Sequence, residues 1–174
     1  VYLEIGFGMG DSLLQQAINN PQINFIGIEV HKPGVGKVLS EIVAHDFKNI
    51  RLICADAVEV LKQNIPDQSL AAVQIFFPDP WQKRRHHKRR LIQKVFVELL
   101  LAKIKSGGYI HLATDWKNYA EHMLVVLNDI QILQNKTNDP QFSMKIHNRP
   151  NTKFEQRGTK LGYGIWDFIF VKKN

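Results

Sequence analysis

The run Leu70-Ala71-Ala72-Val73-Gln74-Ile75-Phe76-Phe77 constrains this chain more than any other segment. It is apolar without alternation, so a strand built from it must be buried on both faces. Such strands lie inside sheets covered on both sides by helices, and the rest of the chain supplies those pieces. Val1–Ile5, Asn24–Ile28, Arg51–Ala55 and Tyr109–Ala113 read as further short apolar strands. Between them the spacing predicts helices over Asp11–Ile18, Val35–Asp46, Ala57–Asn64, Leu91–Ile104 and Tyr119–Asn128. Gly10 or Asp11 stands near the first N-cap, and Ser106-Gly107-Gly108 ends the fourth helix. Ser143–His147 and Ile165–Val171 read as late strands. The alternation predicts an α/β fold with a mostly parallel sheet and helices on both faces. In such sheets ligands bind at the carboxyl ends of the strands, and most of the motifs below follow a predicted strand.

The length of 174 residues fits one domain with a full core. No apolar run approaches the roughly 20 residues that span a bilayer. The single cysteine, Cys54, excludes an intrachain disulfide. That usage suits a reducing compartment, and a cytoplasmic location is expected. Cys54 itself reads as a small core residue in mid-strand. The chain opens inside a strand-like run without a methionine, so a preceding segment is expected in the whole protein.

Charge is concentrated. From Lys83 to Arg90, six of eight residues are Lys or Arg and the other two are His86 and His87, in a chain whose net charge is +7. A solvated helix start or a localisation-type run is the plain reading of such a block. Phosphate binding fits better, because the block directly follows Pro78-Asp79-Pro80-Trp81. Two prolines hold the Asp79 backbone stiffly. Trp81 offers a face on which a base can stack, worth about 1–3 kcal/mol. A rigid acidic and aromatic corner beside a cationic patch suggests a polyanion held while one of its bases is worked on. His86 and His87 read as hydrogen-bonding or stacking residues, since no Cys/His/Asp spacing for a metal accompanies them.

Glu4-Ile5-Gly6-Phe7-Gly8-Met9-Gly10 is a strand followed by a glycine turn and a helix. Its spacing departs from the dinucleotide fingerprint, and Glu4 would repel a pyrophosphate. Glu4 suits a cationic group instead, such as the amino group of a methionine moiety. Glu29 ends the second strand, where an acid can hold a ribose diol. Asp56 ends the third, where it either accepts from an adenine amino group or caps the helix after it. Three acids beside a glycine loop suit a positively charged nucleoside, and S-adenosylmethionine fits better than a nicotinamide dinucleotide. After the fifth strand, Asp115 either faces the Asp79 loop or caps the next helix. Arg149–Gly158 reads as a polar loop around Phe154, either an ordinary surface loop or one suited to base edges.

These pieces, in this order, resemble the bacterial tRNA (guanine-N7-)-methyltransferase family, the TrmB type. The matching stretches are Glu4–Gly10, Gly27–His31, Ala55–Ala57, Pro78–Leu91, Ala113–Trp116 and Arg149–Gly158 with Asp167. The Pro-Asp-Pro-Trp block and the Thr152–Glu155 block carry most of the specificity. The resemblance implies a class I S-adenosylmethionine-dependent methyltransferase, Rossmann-like, with a seven-stranded sheet, and a single domain over residues 1–174. It implies that Glu4, Gly6, Gly8, Gly10, Glu29, Asp56 and Asp79 line the cofactor site. It implies Asp79 as the catalytic-site acid and Lys83, Asp115, Thr152, Lys153, Phe154 and Glu155 as substrate contacts. Arg85, His86, His87, Lys88, Arg89 and Arg90 would contact RNA. The family's target is a guanine around position 46 of the tRNA variable loop, a function carried by the motifs and not by the fold. The family also has an extension before the first strand, which this sequence lacks.

Guanine N7 is a lone pair without a proton, so its methylation needs no general base. The expected task is alignment, with Asp79 or Asp115 offsetting the charge that develops on the ring. Two other readings compete: a base methyltransferase acting on an exocyclic amine, and a non-catalytic RNA-binding module.

Overall fold

A computed structural model describes residues 1–138 and 164–174. The strands are β1 (Tyr2–Ile5), β2 (Phe25–Ile28), β3 (Ile50–Ile53), β4 (Leu70–Phe76), β5 (Ile104–Thr114), β6 (Leu133–Asn135) and β7 (Trp166–Lys172). The helices are α1 (Asp11–Asn19), α2 (Lys32–Ala44), α3 (Ala57–Gln63), α4 (Lys94–Lys103) and α5 (Lys117–Asn128), and a 3₁₀ helix spans Arg84–Arg89. The predicted strand Ser143–His147 and the loop Arg149–Gly158 lie outside the described residues.

The strands form one seven-stranded sheet in the order β3-β2-β1-β4-β5-β7-β6. β1 to β5 pair in parallel, and β7 inserts antiparallel between β5 and β6. Alternation along the strands sorts the core into two faces. Leu3, Ile5, Val73, Ile75, Ile110, Leu112, Phe168 and Phe170 join one cluster with residues of α3, α4 and α5. On the other face Phe25 and Ile50 pack with Leu13 and Ala17 of α1 and Val35 and Val38 of α2. β4 is central and covered on both sides, as its unbroken apolar run requires.

Three boundaries depart from expectation, the first through a local proline and the other two through distant partners. α2 starts at Lys32 because Pro33 occupies its first turn, where a missing N–H does no harm. α4 starts at Lys94, not Leu91, because α5 takes both backbone groups of Ile92. Tyr119 Oη accepts its N–H at 3.1 Å, and His122 Nε2 lies 2.7 Å from its carbonyl. Ser106-Gly107-Gly108 does not end a helix. It lies inside β5, where Gly107 adopts φ 72° and the register with β4 shifts between Leu70 and Ala72. The glycines make a bulge. Cys54 falls just past β3 and is exposed, not part of the core. Among the described residues no helix is long and apolar enough to cross a membrane, and no group of three or more His, Cys, Asp or Glu could hold a metal ion.

Candidate active site

The strand order reverses between β1 and β4, so the crossovers diverge there and leave a crevice at the carboxyl edge. A cavity of about 440 Å³ occupies it, a size within the range of small-molecule sites. One end is lined by Glu4, the loop from Gly6 to Gly10, Asp11, Ser12, Glu29 and Val30; the other by Phe76–Asp79, Trp81, Arg89 and Leu91. The cavity therefore joins the glycine loop to the proline loop and the start of the basic segment.

The glycine loop turns through left-handed backbone at Gly6, Gly8 and Gly10 (φ 75°, 57° and 81°), a region that disfavours any Cβ. Gly10 is the N-cap of α1. Glu29 holds the loop from the side. Its Oε2 accepts the Gly8 N–H at 2.8 Å, and Oε1 accepts the N–H groups of Val30 and His31 at 2.7 and 2.9 Å. A carboxylate has about four lone-pair positions, so three such bonds leave Glu29 capacity for a ligand hydroxyl. Glu4 is 3% exposed, a carboxylate on the cavity wall. Gln16 Nε2 lies 3.4 Å from its Oε2 and 3.0 Å from Ser12 Oγ, and Gln74 Nε2 donates to Gln16 Oε1 at 2.7 Å. This Gln16–Gln74 support escaped the sequence reading. Its one signal was a glutamine within the apolar β4 run.

Asp56 is an N-cap. Its Oδ1 accepts from Val58 N at 2.8 Å and Glu59 N at 3.2 Å, and it lies outside the cavity lining. Asp115 is half-buried at the end of β5 and also outside the lining. It does not cap α5, whose N-cap is Trp116. Thr152, Lys153, Phe154 and Glu155 lie outside the described residues.

The proline loop is bracketed by two left-handed residues, Phe77 at φ 52° and Trp81 at φ 45°. Bulky residues hold such backbone only where the surroundings enforce it. Asp79 is one enforcer: its Oδ1 accepts the Trp81 N–H at 3.0 Å. The basic run then divides. Lys83, Arg84, Arg85, Lys88 and Arg89 are exposed, and His86 and His87 half-buried. Arg89 lies over the Trp81 ring, 5.0 Å from its centroid, and His86 meets that ring edge-on at 5.9 Å. Arg89 therefore already covers one face of the indole expected to stack a base.

Arg90 overturns its expected role as an RNA contact. It is 3% exposed. Its Nε donates to Pro80 O at 3.0 Å, Nη2 to Asn118 Oδ1 at 2.7 Å, and its guanidinium stacks 4.8 Å from the Tyr119 ring centroid. Desolvation lowers its pKa and pushes that of Tyr119 up to about 12. Arg90 ties the proline loop to α5; the exposed cationic surface ends at Arg89.

Residues 1–168 match a family described as "Putative methyltransferase". The chain is 55% identical over 171 residues to a tRNA (guanine-N(7)-)-methyltransferase of Legionella pneumophila (strain Corby), covering 98% of this chain and 76% of that protein. It is 59% identical over 170 residues to a protein of the same name from Idiomarina loihiensis, covering 98% and 69%. Two solved structures share the fold at low identity. One is the precorrin-6y C5,15-methyltransferase of Geobacter metallireducens (TM-score 0.63, 15% identity, 98% of this chain and 79% of that one). The other is an rRNA methylase of Streptococcus thermophilus (TM-score 0.63, 13% identity, 99% and 86%).

Proposed function

The chain belongs to the tRNA (guanine-N7-)-methyltransferase family, and from that premise we propose how its cavity brings S-adenosylmethionine to the N7 of a tRNA guanine. One observation carries the reading. A single cavity has buried carboxylates and a glycine loop at one end and Asp79, Trp81 and the cationic segment at the other. The first end suits a cofactor that is both nucleoside and cation, and the second suits a base on a phosphate backbone.

Residues 1–174 act as one methyltransferase domain. Glu4 faces the cofactor's ammonium group, with Gly6, Gly8 and Gly10 allowing close approach of the backbone. Glu29 takes a ribose hydroxyl on its remaining acceptor capacity. Asp56 caps α3 through Oδ1, which leaves Oδ2 as the atom toward the adenine amino group. Held by Glu4, the glycine loop and Glu29, S-adenosylmethionine would supply an electrophilic methyl group, with its sulfur as the leaving group, to the lone pair of N7. The protein removes no proton, because N7 carries none. Asp79 sits at the cavity wall and offsets the positive charge the guanine ring gains, an electrostatic task typical of preorganised sites. Lys83, Asp115 and Thr152–Glu155 contact the substrate guanosine and its neighbours. Arg85, His86, His87, Lys88 and Arg89 contact the RNA backbone around a variable-loop guanine.

The test incubates the protein with methyl-labelled S-adenosylmethionine and unmodified tRNA transcripts, then identifies the labelled nucleoside. The expected product is 7-methylguanosine, lost in Asp79→Ala. A different methylated nucleoside would move the reading to an exocyclic-amine methyltransferase. RNA binding without label would move it to a binding module.

A further inference from the structure

The glycine loop has two sides. One lines the cavity from Gly6 to Asp11. The other rests on the first turns of α2, and the four residues from Gly8 to Asp11 are gripped there. Gly34 is buried, and a Cβ built on it would stand 2.0 Å from the Gly8 carbonyl oxygen. The Gly8 backbone thus packs on a bare Cα. Three residues on, Lys37 Nζ donates to the Met9 carbonyl at 3.0 Å and to Asp11 Oδ1 at 2.6 Å. One helical turn from Gly34, Val38 closes on Gly10, where a Cβ would stand 2.0 Å from Val38 Cγ2. The grip is thus assembled on one face of α2, since i, i+3 and i+4 share a face. Glu29 completes it through the Gly8 N–H.

We propose that Gly34 and Lys37 are positioning residues, through which α2 holds the backbone of Gly8–Asp11 in the shape that binds the cofactor. This rests on reading the cavity as the S-adenosylmethionine site. A loop rich in glycine has the most conformational freedom to lose on binding. Holding it from behind removes that loss before the ligand arrives. Neither residue needs to touch the cofactor.

α2 also contains a matched control. Gly36 is exposed, and a Cβ there meets nothing within 4 Å. Gly34→Ala and Gly36→Ala make the same propensity change in the same helix, but only the first presses on Gly8. The experiment measures S-adenosylmethionine affinity by titration calorimetry, and KM for cofactor and for tRNA separately, on the full chain. Gly34→Ala is expected to raise the cofactor KM about tenfold or more, with the tRNA KM and the Gly36→Ala values unchanged. Lys37→Met keeps the aliphatic stem and removes the donors, with an expected rise of about three- to tenfold given a charged hydrogen bond that is part-exposed. Lys37→Arg should recover most of it. Thermal melts accompany each variant; if Gly34→Ala fails to fold, the Lys37 pair decides alone. Cofactor affinity unchanged in Gly34→Ala or Lys37→Met, or a rise shared equally by Lys37→Arg, would overturn the proposal. If the unmutated chain binds no S-adenosylmethionine, the functional reading itself fails first.

Discussion

The two ends of the cavity are built on opposite principles. The glycine-loop end is made of backbone and buried carboxylates, fixed by Glu29, Lys37 and Gly34. The proline-loop end presents long, exposed cations on a short 3₁₀ helix, anchored by the buried Arg90 that follows it. A small cofactor needs a preorganised pocket, whose hydrogen bonds act at short range and barely respond to salt. A polyanion is attracted over a wide area, where individual cations matter little and salt matters greatly. One end of the cavity is therefore enclosed and braced, the other open and cationic, and Asp79 lines the cavity at the start of the second.

The sharpest way to break this contrast is at that residue. Asp79→Ala and Asp79→Asn should both lower kcat by about 10²-fold or more if charge is what matters. The amide oxygen of Asn can still accept the Trp81 N–H. Near-normal turnover in Asp79→Asn would show that Asp79 shapes the turn and little else. Next in size is Arg90→Ala, which leaves Pro80 O and Asn118 without their donor and opens space against Tyr119. Urea unfolding should register a loss of about 2–4 kcal/mol. Arg85→Ala, five residues earlier and exposed, should leave the unfolding midpoint in place and reduce the RNA salt slope by about one. Equal destabilisation by both would erase the distinction between anchor and phosphate contact.

Salt gives a graded version of the same test. Three to five neutralised phosphates predict a slope of log K against log salt of about −2 to −5 for tRNA, whereas cofactor affinity should hardly move. Tyr119 supplies a smaller effect. Burial raises its pKa to about 12, so the neutral form is favoured in the folded state. Its contribution is fully present below pH ~10, and falls away as pH climbs toward ~12, by about 3 kcal/mol in all. Tyr119→Phe should cost about 1 kcal/mol at pH 8 through the lost bond to Ile92 N–H, yet flatten the alkaline decline in chemical denaturation. Smallest of all is the rate itself. With no proton to remove, kcat should vary little from pH 6 to 9, and a log-linear rise of unit slope would contradict the assignment of Asp79.

Much of this was readable from residues. Among the described residues, β1 to β4 and α1 to α5 were all anticipated, the strands because each strand of a covered parallel sheet must be apolar throughout. The glycine loop and the two prolines are local backbone instructions and fold as such. β6 (Leu133–Asn135) was not readable, since three residues with one apolar side chain carry no pattern. The early start of β5 was hidden because Ser106-Gly107-Gly108 has the composition of a helix stop, and only pairing with Leu70 and Ala72 converts it to a bulge.

The site divides in the same way. Sequence alone determined which chemistry stands at each strand end: Glu4, Glu29, Asp56, Asp79 and the cationic run follow directly from strand boundaries. Tertiary structure decided how each charge is held. Asp56 caps a helix, Glu29 braces a loop, and Arg90 leaves the basic surface to which its neighbours belong. The physical reason is that burial and pairing depend on partners far along the chain. Asn118 and Tyr119 lie 28 and 29 residues from Arg90, and nothing in a run of cations says which one will turn inward to meet them.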